Sequence, residues 1–494
     1  MPKSNFQILL LFSALLIFPA ASRSEPSPDI TLKGSISGTE NHTYVEVPFT
    51  VPPGIASITV TFHYTQRDER TTLDLGLFDP NGFRGWSGGN KDTFTISEAD
   101  ATPSYLPGPI LPGKWKLTIG VPNIRKEVTS RYEADIYFVR AARVTSFADK
   151  PLRGGPAWYR GDLHMHTAHS DGSCLSQSGH KVPCPVFLSL EAAAEHGLDF
   201  IAVTDHNTTS HYDSLRELQP YFDRLLLIPG REITTFWGHA NLFGPTGFAD
   251  FRMRSTGPGI KSVFERADEM HAILSINHPN APTGEACMGC GWTPNAELDP
   301  HLIRAIEAVN GGAEEGPYSG IGFWENQLNH GYRATAIGGS DNHDAQIPAG
   351  EKNSIGSPTT VVYAKDLSVI SLLDGIRSGH VFIDLSASRD RLLEISAEDR
   401  ATKAAMGDAL LAPRASTILL SAHILNCAGN RLRFLLDGQS VPSLLSNITR
   451  ADQTISLSFP ADGREHWLRP DVISPEGRLV LLGNPVYLNH QDPK

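Results

Sequence analysis

The chain has 494 residues, 40% of them hydrophobic, with a formal net charge of -12 and a sequence pI near 5.9. That apolar content is enough for ordinary globular cores and excludes a disordered chain, and the length suggests about two to four domains. No basic patch stands out and an acidic surface repels polyanions, so a nucleic-acid partner is not expected and a small-molecule substrate is.

The first residues read as an export signal. Lys3 precedes the apolar run 8–20, which is short for a bilayer span. Ala20, Ala21, Ser22 and Ser24 offer cleavage positions. A signal peptide over 1–24 is expected, giving a secreted or periplasmic protein. No later segment is apolar enough to cross a membrane, so no span is expected after signal removal.

Residues 25–142 read as β. Alternation marks 44–47 and 58–62, and further strand-like runs fall at 72–78, 115–121 and 132–139. Asp79-Pro80-Asn81-Gly82, Pro107-Gly108 and Pro112-Gly113 are turn signals between them. An N-terminal β-sandwich is expected. Its aromatics Phe83 and Trp86 are read as loop packing. Residues 143–157, with Gly154, Gly155 and Pro156, form a linker.

From 158 to 388 the pattern changes to α/β. Helical stretches at 188–196 and 263–271 alternate with apolar runs at 200–203, 225–228, 272–276, 305–309 and 335–337. That alternation predicts mainly parallel strands. Residues 389–494 return to β character at 418–424, 432–436, 454–459 and 478–482, and a second sandwich-like domain is expected.

There are five cysteines. Cys174 and Cys184 bracket a short polar loop that a disulfide would close. Cys287-Met-Gly-Cys290 is read as a loop disulfide or free thiols, because one CxxC without companions is a weak zinc signal. Cys427 is expected to pack in a core.

The chemistry lies where the apolar runs of the middle domain end. The first run gives His164-Met165-His166 with Asp171 following. The next gives Asp205-His206-Asn207, and then Gly230-Arg231-Glu232. His239 opens a short apolar run, His278-Pro279 ends another, and Asp341-Asn342-His343 ends the last. A strand places residues i and i+2 on one side, so His164 with His166, and Asp341 with His343, can face one ion. Imidazole nitrogen and carboxylate oxygen suit zinc, manganese or iron. The set His164, His166, Asp171, His206, Glu232, His239, His278, Asp341 and His343 is too large for one ion. It implies two or three divalent metals, with Glu232 the best bridging ligand. Asp205 and Asn207 are candidates for orienting a ligand or substrate, with turn chemistry as the alternative. Arg231, Lys352 and Arg160 are the cations nearest the motifs, with surface solvation the alternative for each.

With these motifs on the page, residues 160 to about 385 resemble the PHP family of metallohydrolases. The match runs in family order through Asp162-Leu163-His164-Met165-His166-Thr167, Ser170-Asp171-Gly172, Val203-Thr204-Asp205-His206-Asn207, Pro229-Gly230-Arg231-Glu232-Ile233, His278-Pro279 and Gly339-Ser340-Asp341-Asn342-His343. The resemblance implies a distorted (β/α)7 barrel. The export signal, the flanking β domains and the segment Gly375-Ile376-Arg377-Ser378-Gly379 look most like the carbaryl-hydrolase branch, CehA/McbA. The resemblance also implies how the ligands divide. His164, His166, Glu232 and Asp341 would hold one metal. Glu232, His239 and His278 would hold a second, and Asp171, His206 and His343 a third.

The expected reaction is metal-assisted hydrolysis by an activated water, with no separate protein base required. Asp171, Glu232, Asp341 and His343 are the candidate catalytic residues. Carbamate, ester or amide hydrolysis is the first expectation, as the branch resemblance implies, and a phosphoesterase is the alternative. A phosphate site should gather Arg or Lys near the metals, and only Arg231 and Lys352 stand out. A non-catalytic cell-surface binding module is the third reading. It requires an incomplete ligand set.

Overall fold

The computed structural model describes residues 27–141, 144–252, 259–285, 287, 289–294, 298–399 and 402–490. The expected signal peptide lies outside the described residues. The fold is mixed α/β, rich in sheet, with five α-helices among the described residues.

The N-terminal part is two four-stranded antiparallel sheets. One runs Ile30–Ser37, Thr129–Val139, Ser57–Tyr64, Thr93–Ser97; the other runs Tyr44–Val51, Gly113–Asn123, Thr72–Asp79, Gly82–Gly88. Period-two alternation explains the burial. In Ser57–Tyr64, Ile58, Val60 and Phe62 turn inward. They meet Trp115, Leu75 and Phe94 in one shared core. Each such side chain contributes about 1.5–3 kcal/mol when fully buried. This unit docks on the central region through a buried ion pair, Arg216 with Asp100. The backbone N–H of Ala101 also donates to Asp213 at 2.8 Å.

The central sheet runs Thr335–Gly339, Ala305–Asn310, Ile273–Ile276, Gly238–Phe243, Leu226–Thr235, Phe200–Val203, Ala157–Asp162, Thr359–Ala364, Val381–Asp384. It is mixed rather than mainly parallel. Gly238–Phe243 pairs antiparallel with both neighbours. The physical reason is chain length. Only Phe236 and Trp237 separate it from Leu226–Thr235, and a parallel return needs a crossover of about a dozen residues.

Among the described residues, Thr335–Gly339 and Ala157–Asp162 share no ladder, so the seven strands from the one to the other are not closed into a ring strand to strand. The sheet curls until the chain just beyond its first edge, Thr335–Gly339, meets the chain just beyond Ala157–Asp162, an interior strand. There the N–H of Asp341 donates to the His164 carbonyl at 2.9 Å, and the N–H of His166 to the Asn342 carbonyl at 2.8 Å.

The C-terminal part is built on the same sheet. Val381–Asp384 pairs antiparallel with Leu479–Gly483, so the ladder continues into His466–Ile473 and Arg431–Leu436. A four-stranded sheet, ordered Thr402–Ala405, Leu392–Asp399, Thr417–Leu425, Asp452–Pro460, packs across this extension. Phe382, Leu393, Leu420, Phe434 and Leu481 fill the space between. One layer of this second sandwich is therefore an extension of the central sheet.

Candidate metal centre

The curled sheet brings together all nine candidate ligands. His164 and His166 follow Ala157–Asp162, and His206 follows Phe200–Val203. Glu232 lies within Leu226–Thr235, and His239 is the second residue of Gly238–Phe243. His278 follows Ile273–Ile276, while Asp341 and His343 follow Thr335–Gly339. Because Gly238–Phe243 runs antiparallel, its start lies at the same mouth as the ends of its neighbours. That places His239 with the others. His278 and Asp341 have φ of 25° and 51°, a region where a side chain is strained and where site residues are often found.

The spacing of the donor atoms is the test of whether ions fit. With bonds of about 2.0–2.1 Å, tetrahedral donors lie about 3.3–3.4 Å apart. Nε2 of His164 and Nε2 of His166 are each 3.5 Å from Oε2 of Glu232 and 3.3 Å from Oδ1 of Asp341. Oε1 of Glu232 is 3.2 Å from Nδ1 of His239 and 3.4 Å from Nε2 of His278. Oδ1 of Asp171 is 3.6 Å from Nε2 of His206 and 3.4 Å from Nε2 of His343. The two oxygens of Glu232 thus face two different donor groups.

Buried donors left without hydrogen bonds point the same way. Nε2 of His164, Nε2 of His166, both ring nitrogens of His239 and Oε2 of Glu232 have none. Unpaired polar atoms in a protein interior are costly, and bound cations would satisfy Nε2 of His164 and His166, Oε2 of Glu232 and one ring nitrogen of His239.

The closest metal-ligand groupings overlap. They are His166–Asp171–His206–His343, His164–His278–Asp341, His164–His166–Glu232 and His206–Glu232–His239. His278 thus also groups with His164 and Asp341, and His239 with His206, while both keep the contact with Oε1 of Glu232 that the resemblance implies. Depth varies too. Glu232 is fully buried, whereas the side chains of Asp171 and His343 are 59% and 40% exposed at the mouth.

Without cations the cluster balances itself by ionisation. Burial disfavours charge on Glu232 and Asp341, yet the surrounding histidines hold both well below the usual carboxylate range. Burial likewise opposes a proton on His164, but Asp341, Glu307 and Glu232 raise its pKa well above the ordinary value. His166 is lowered by burial. His343 is lifted to about 9, where Asp171 and Asp341 outweigh its desolvation.

Several supporting residues escaped the sequence reading. Oε1 of Glu307 is 2.8 Å from Nδ1 of His164. Asn277 donates to Oε1 of Glu232 at 2.9 Å, and the Thr234 hydroxyl is 2.6 Å from Nδ1 of His206. Asp162 accepts from three backbone N–H groups of the site loops. Glu307 had a signal: it is a lone carboxylate inside the otherwise apolar run 305–309.

The remaining candidates fall elsewhere. Asp205 accepts from the Thr167 N–H at 2.7 Å, the Thr167 hydroxyl at 2.7 Å and the Ser170 hydroxyl at 2.6 Å. It shapes the loop that carries Asp171. Gly172 closes that loop, since a Cβ there would sit 2.5 Å from the His166 carbonyl oxygen. Asn207 exchanges hydrogen bonds with the backbone of Thr234, each 2.9 Å, in a turn with φ of 54°. Arg231 does not serve as the expected substrate contact. It is buried and donates to the Gly247 carbonyl. Arg160 is committed to a buried ion pair with Asp384 at 2.6 Å.

Cys287 and Cys290 form a disulfide. Cys174 and Cys184 are both buried and remain unbridged, contrary to the loop-closing disulfide. They pack into the apolar cluster beneath the metal loop, where burial pushes the Cys184 thiol up to about 12. Cys427 is buried in the C-terminal core.

A cavity of about 610 Å³ opens beside the cluster, with Asp341 and His343 in its wall. Lys181 and Lys352 line it, as do Tyr318, Leu175 and Ile347. Lys181 was not singled out from sequence, because nothing local distinguishes it from a solvated lysine.

No family model matches the chain, and no curated protein matches it. Among solved structures it is similar to a two-domain protein from Bacteroides vulgatus containing a predicted PHP-like metal-dependent phosphoesterase. That alignment has 18% identity and a TM-score of 0.36, covering 71% of this chain and 98% of the other. It is also similar to a candidate metal-dependent phosphoesterase from Bifidobacterium adolescentis, with 15% identity and a TM-score of 0.29, covering 44% of this chain and 94% of the other. Superpositions this loose carry no argument about activity, and the chemistry rests on the donor geometry.

Proposed function

We propose that this protein is an exported metal-dependent hydrolase of the PHP type, acting on a small anionic ester, a phosphomonoester first. The observation that carries the reading is the convergence of nine His, Asp and Glu donors, with those of His164, His166, His239 and His278 between 3.2 and 3.5 Å from the two oxygens of Glu232. Bound divalent ions supply a water ionised near neutral pH and Lewis-acid polarisation of the substrate oxygen. The chain's part is to fix the donors. His164, His166, Glu232, His239 and His278 form a buried floor that excludes bulk water. Asp171 and His343 at the mouth meet the substrate side. Lys181 and Lys352 supply positive charge where a phosphoryl or carboxylate group would enter. Export rests on Lys3 and the apolar run 8–20.

A second reading has its own observation. Leu175, Tyr318 and Ile347 give the same cavity an apolar wall suited to an aromatic leaving group. That favours the carbamate or carboxyl-ester hydrolysis of the carbaryl-hydrolase branch.

The two readings separate in one panel. The metal-loaded full chain is assayed on nitrophenyl phosphate, naphthyl acetate and a naphthyl carbamate. Phosphate release that exceeds ester and carbamate turnover supports the first reading. Carbamate or ester turnover without phosphate release overturns it. Lys352→Gln should raise KM for the phosphate substrate about 3- to 10-fold, as expected for a lost charged hydrogen bond, and leave a neutral ester unchanged.

A further inference from the structure

We infer that Glu307 is a positioning residue that couples the first two metal positions, so that they fill and empty together. The inference rests on the metal-centre reading above. Glu307 sits in Ala305–Asn310, a strand buried along its whole length, among Ala305, Ile306, Ala308 and Val309. A carboxylate there is costly unless every oxygen is engaged. Its described ion-pair partner is a histidine ring and no Lys or Arg.

The bonds it makes reach three candidate ligands. Oε1 is 2.8 Å from Nδ1 of His164. With the proton on Nδ1, Nε2 is left bare and faces Glu232 and Asp341. Oε2 accepts the backbone N–H of His278 at 2.8 Å. That bond holds the strained His278 backbone, which in turn aims Nε2 toward Oε1 of Glu232 at 3.4 Å. Nδ2 of Asn310 lies 3.1 Å from Oε2 of Glu307 and 3.2 Å from Oδ2 of Asp341, leaving Oδ1 of Asp341 on the two first histidines.

The fit is tight on the far side. A Cβ on Gly339 would lie 2.4 Å from Cβ of His164 and 2.5 Å from Oε1 of Glu307. Neither group could hold its place beside a larger residue. No described hydrogen bond or ion pair joins Glu307 to Asp171, His206 or His343, so the mouth position stands outside this coupling.

Glu307→Gln tests the idea at nearly constant shape. One amide cannot accept from both His164 and the His278 N–H as the carboxylate does. The metal-free full chain and the variant are titrated with Mn²⁺ by calorimetry, and bound metal is counted by elemental analysis after gel filtration. The expected result is joint weakening of two positions, about 10- to 100-fold, with one ion retained as in the parent. Loss of a single ion, or unchanged binding of all ions, overturns the inference. So does equal weakening of every position, which a merely structural role would give. If Glu307→Gln does not fold, Asn310→Ala replaces it, with joint weakening of the same two positions expected and unchanged binding overturning. A parent chain that binds no divalent ion would instead sink the metal-centre reading itself.

Discussion

Asp162 ties the chain after Ala157–Asp162 to the chain after Thr335–Gly339 and to the turn before Thr359–Ala364, and removing its charge should loosen both fold and site. Its carboxylate is fully buried. Oδ1 accepts from the N–H of His164 at 3.1 Å and of Ser340 at 3.0 Å, and Oδ2 from the N–H of Gly356 at 2.7 Å. These donors come from beyond Ala157–Asp162, from beyond Thr335–Gly339, and from the turn before Thr359–Ala364. In Asp162→Asn the amide oxygen can keep the first two. The NH2 then faces the Gly356 N–H, donor against donor. Each unsatisfied buried donor costs about 1–3 kcal/mol, so two cost about 2–6 kcal/mol. That is a large share of a typical margin of about 5–15 kcal/mol. Urea unfolding of the metal-free chain, followed by tryptophan emission, should show an earlier midpoint for the transition that carries the central region. Amide hydrogen exchange at Gly356 should quicken while exchange at Ser340 stays slow. A variant within about 0.5 kcal/mol of the parent, with Gly356 still protected, refutes the account of how these segments are tied together.

Glu232→Gln removes the carboxylate that faces two donor groups, so two ions should be lost together and turnover should fall by more than about 100-fold, read by elemental analysis and steady-state kinetics. The His343 pair predicts opposite pH slopes. Its pKa is raised to about 9 in the metal-free chain, so its stabilisation is fully present below the unfolded value of about 6.5 and is lost as pH rises through about 9. Metal binding needs the neutral ring, so affinity at the mouth should climb over the same window; proton release on binding, measured by calorimetry in two buffers, should be smaller in His343→Ala than in the parent, with His164, His206 and His278 supplying the remainder. Arg160→Met strands the buried Asp384 carboxylate and should cost about 3–5 kcal/mol in urea unfolding. Turnover per loaded protein should stay unchanged, and a large KM effect on an anionic substrate would return Arg160 to the substrate site.

The donor set was legible in the sequence because ligands need particular side chains. His164, His166, Asp171, His206, Glu232, His278, Asp341 and His343 are each tied to an apolar run that local patterning reveals. His239 was harder. It precedes its run, and only the hairpin at Phe236 and Trp237 turns that start toward the shared mouth. Arg231 misled for the opposite reason. It is adjacent to Glu232, but neighbouring residues on a strand face opposite sides, and its guanidinium runs to Gly247. Glu307 and Asp162 have no role legible in the sequence, because one stands only as a lone carboxylate in an apolar run and the other only as the start of the first motif, and most of their partners lie far off in sequence.

Sequence by itself determined the helices at 188–196 and 263–271, many of the strands, and which residues could bind cations, while three further helices among the described residues and the strands Thr359–Ala364 and Val381–Asp384 were not read from it. What it determined follows from local chemistry, namely side-chain alternation and the identity of the donor atoms. Tertiary structure alone decided that the C-terminal β region shares a sheet with the central one, through Val381–Asp384 and Leu479–Gly483. It also decided which oxygen of Glu232 faces which histidines, and that Lys181 stands beside Asp341 and His343 in the cavity wall. Apart from Glu232 and His239, which one hairpin joins, those are contacts between residues far apart in the chain, set by strand register and by how the sheet curls, and no short window of sequence contains both partners.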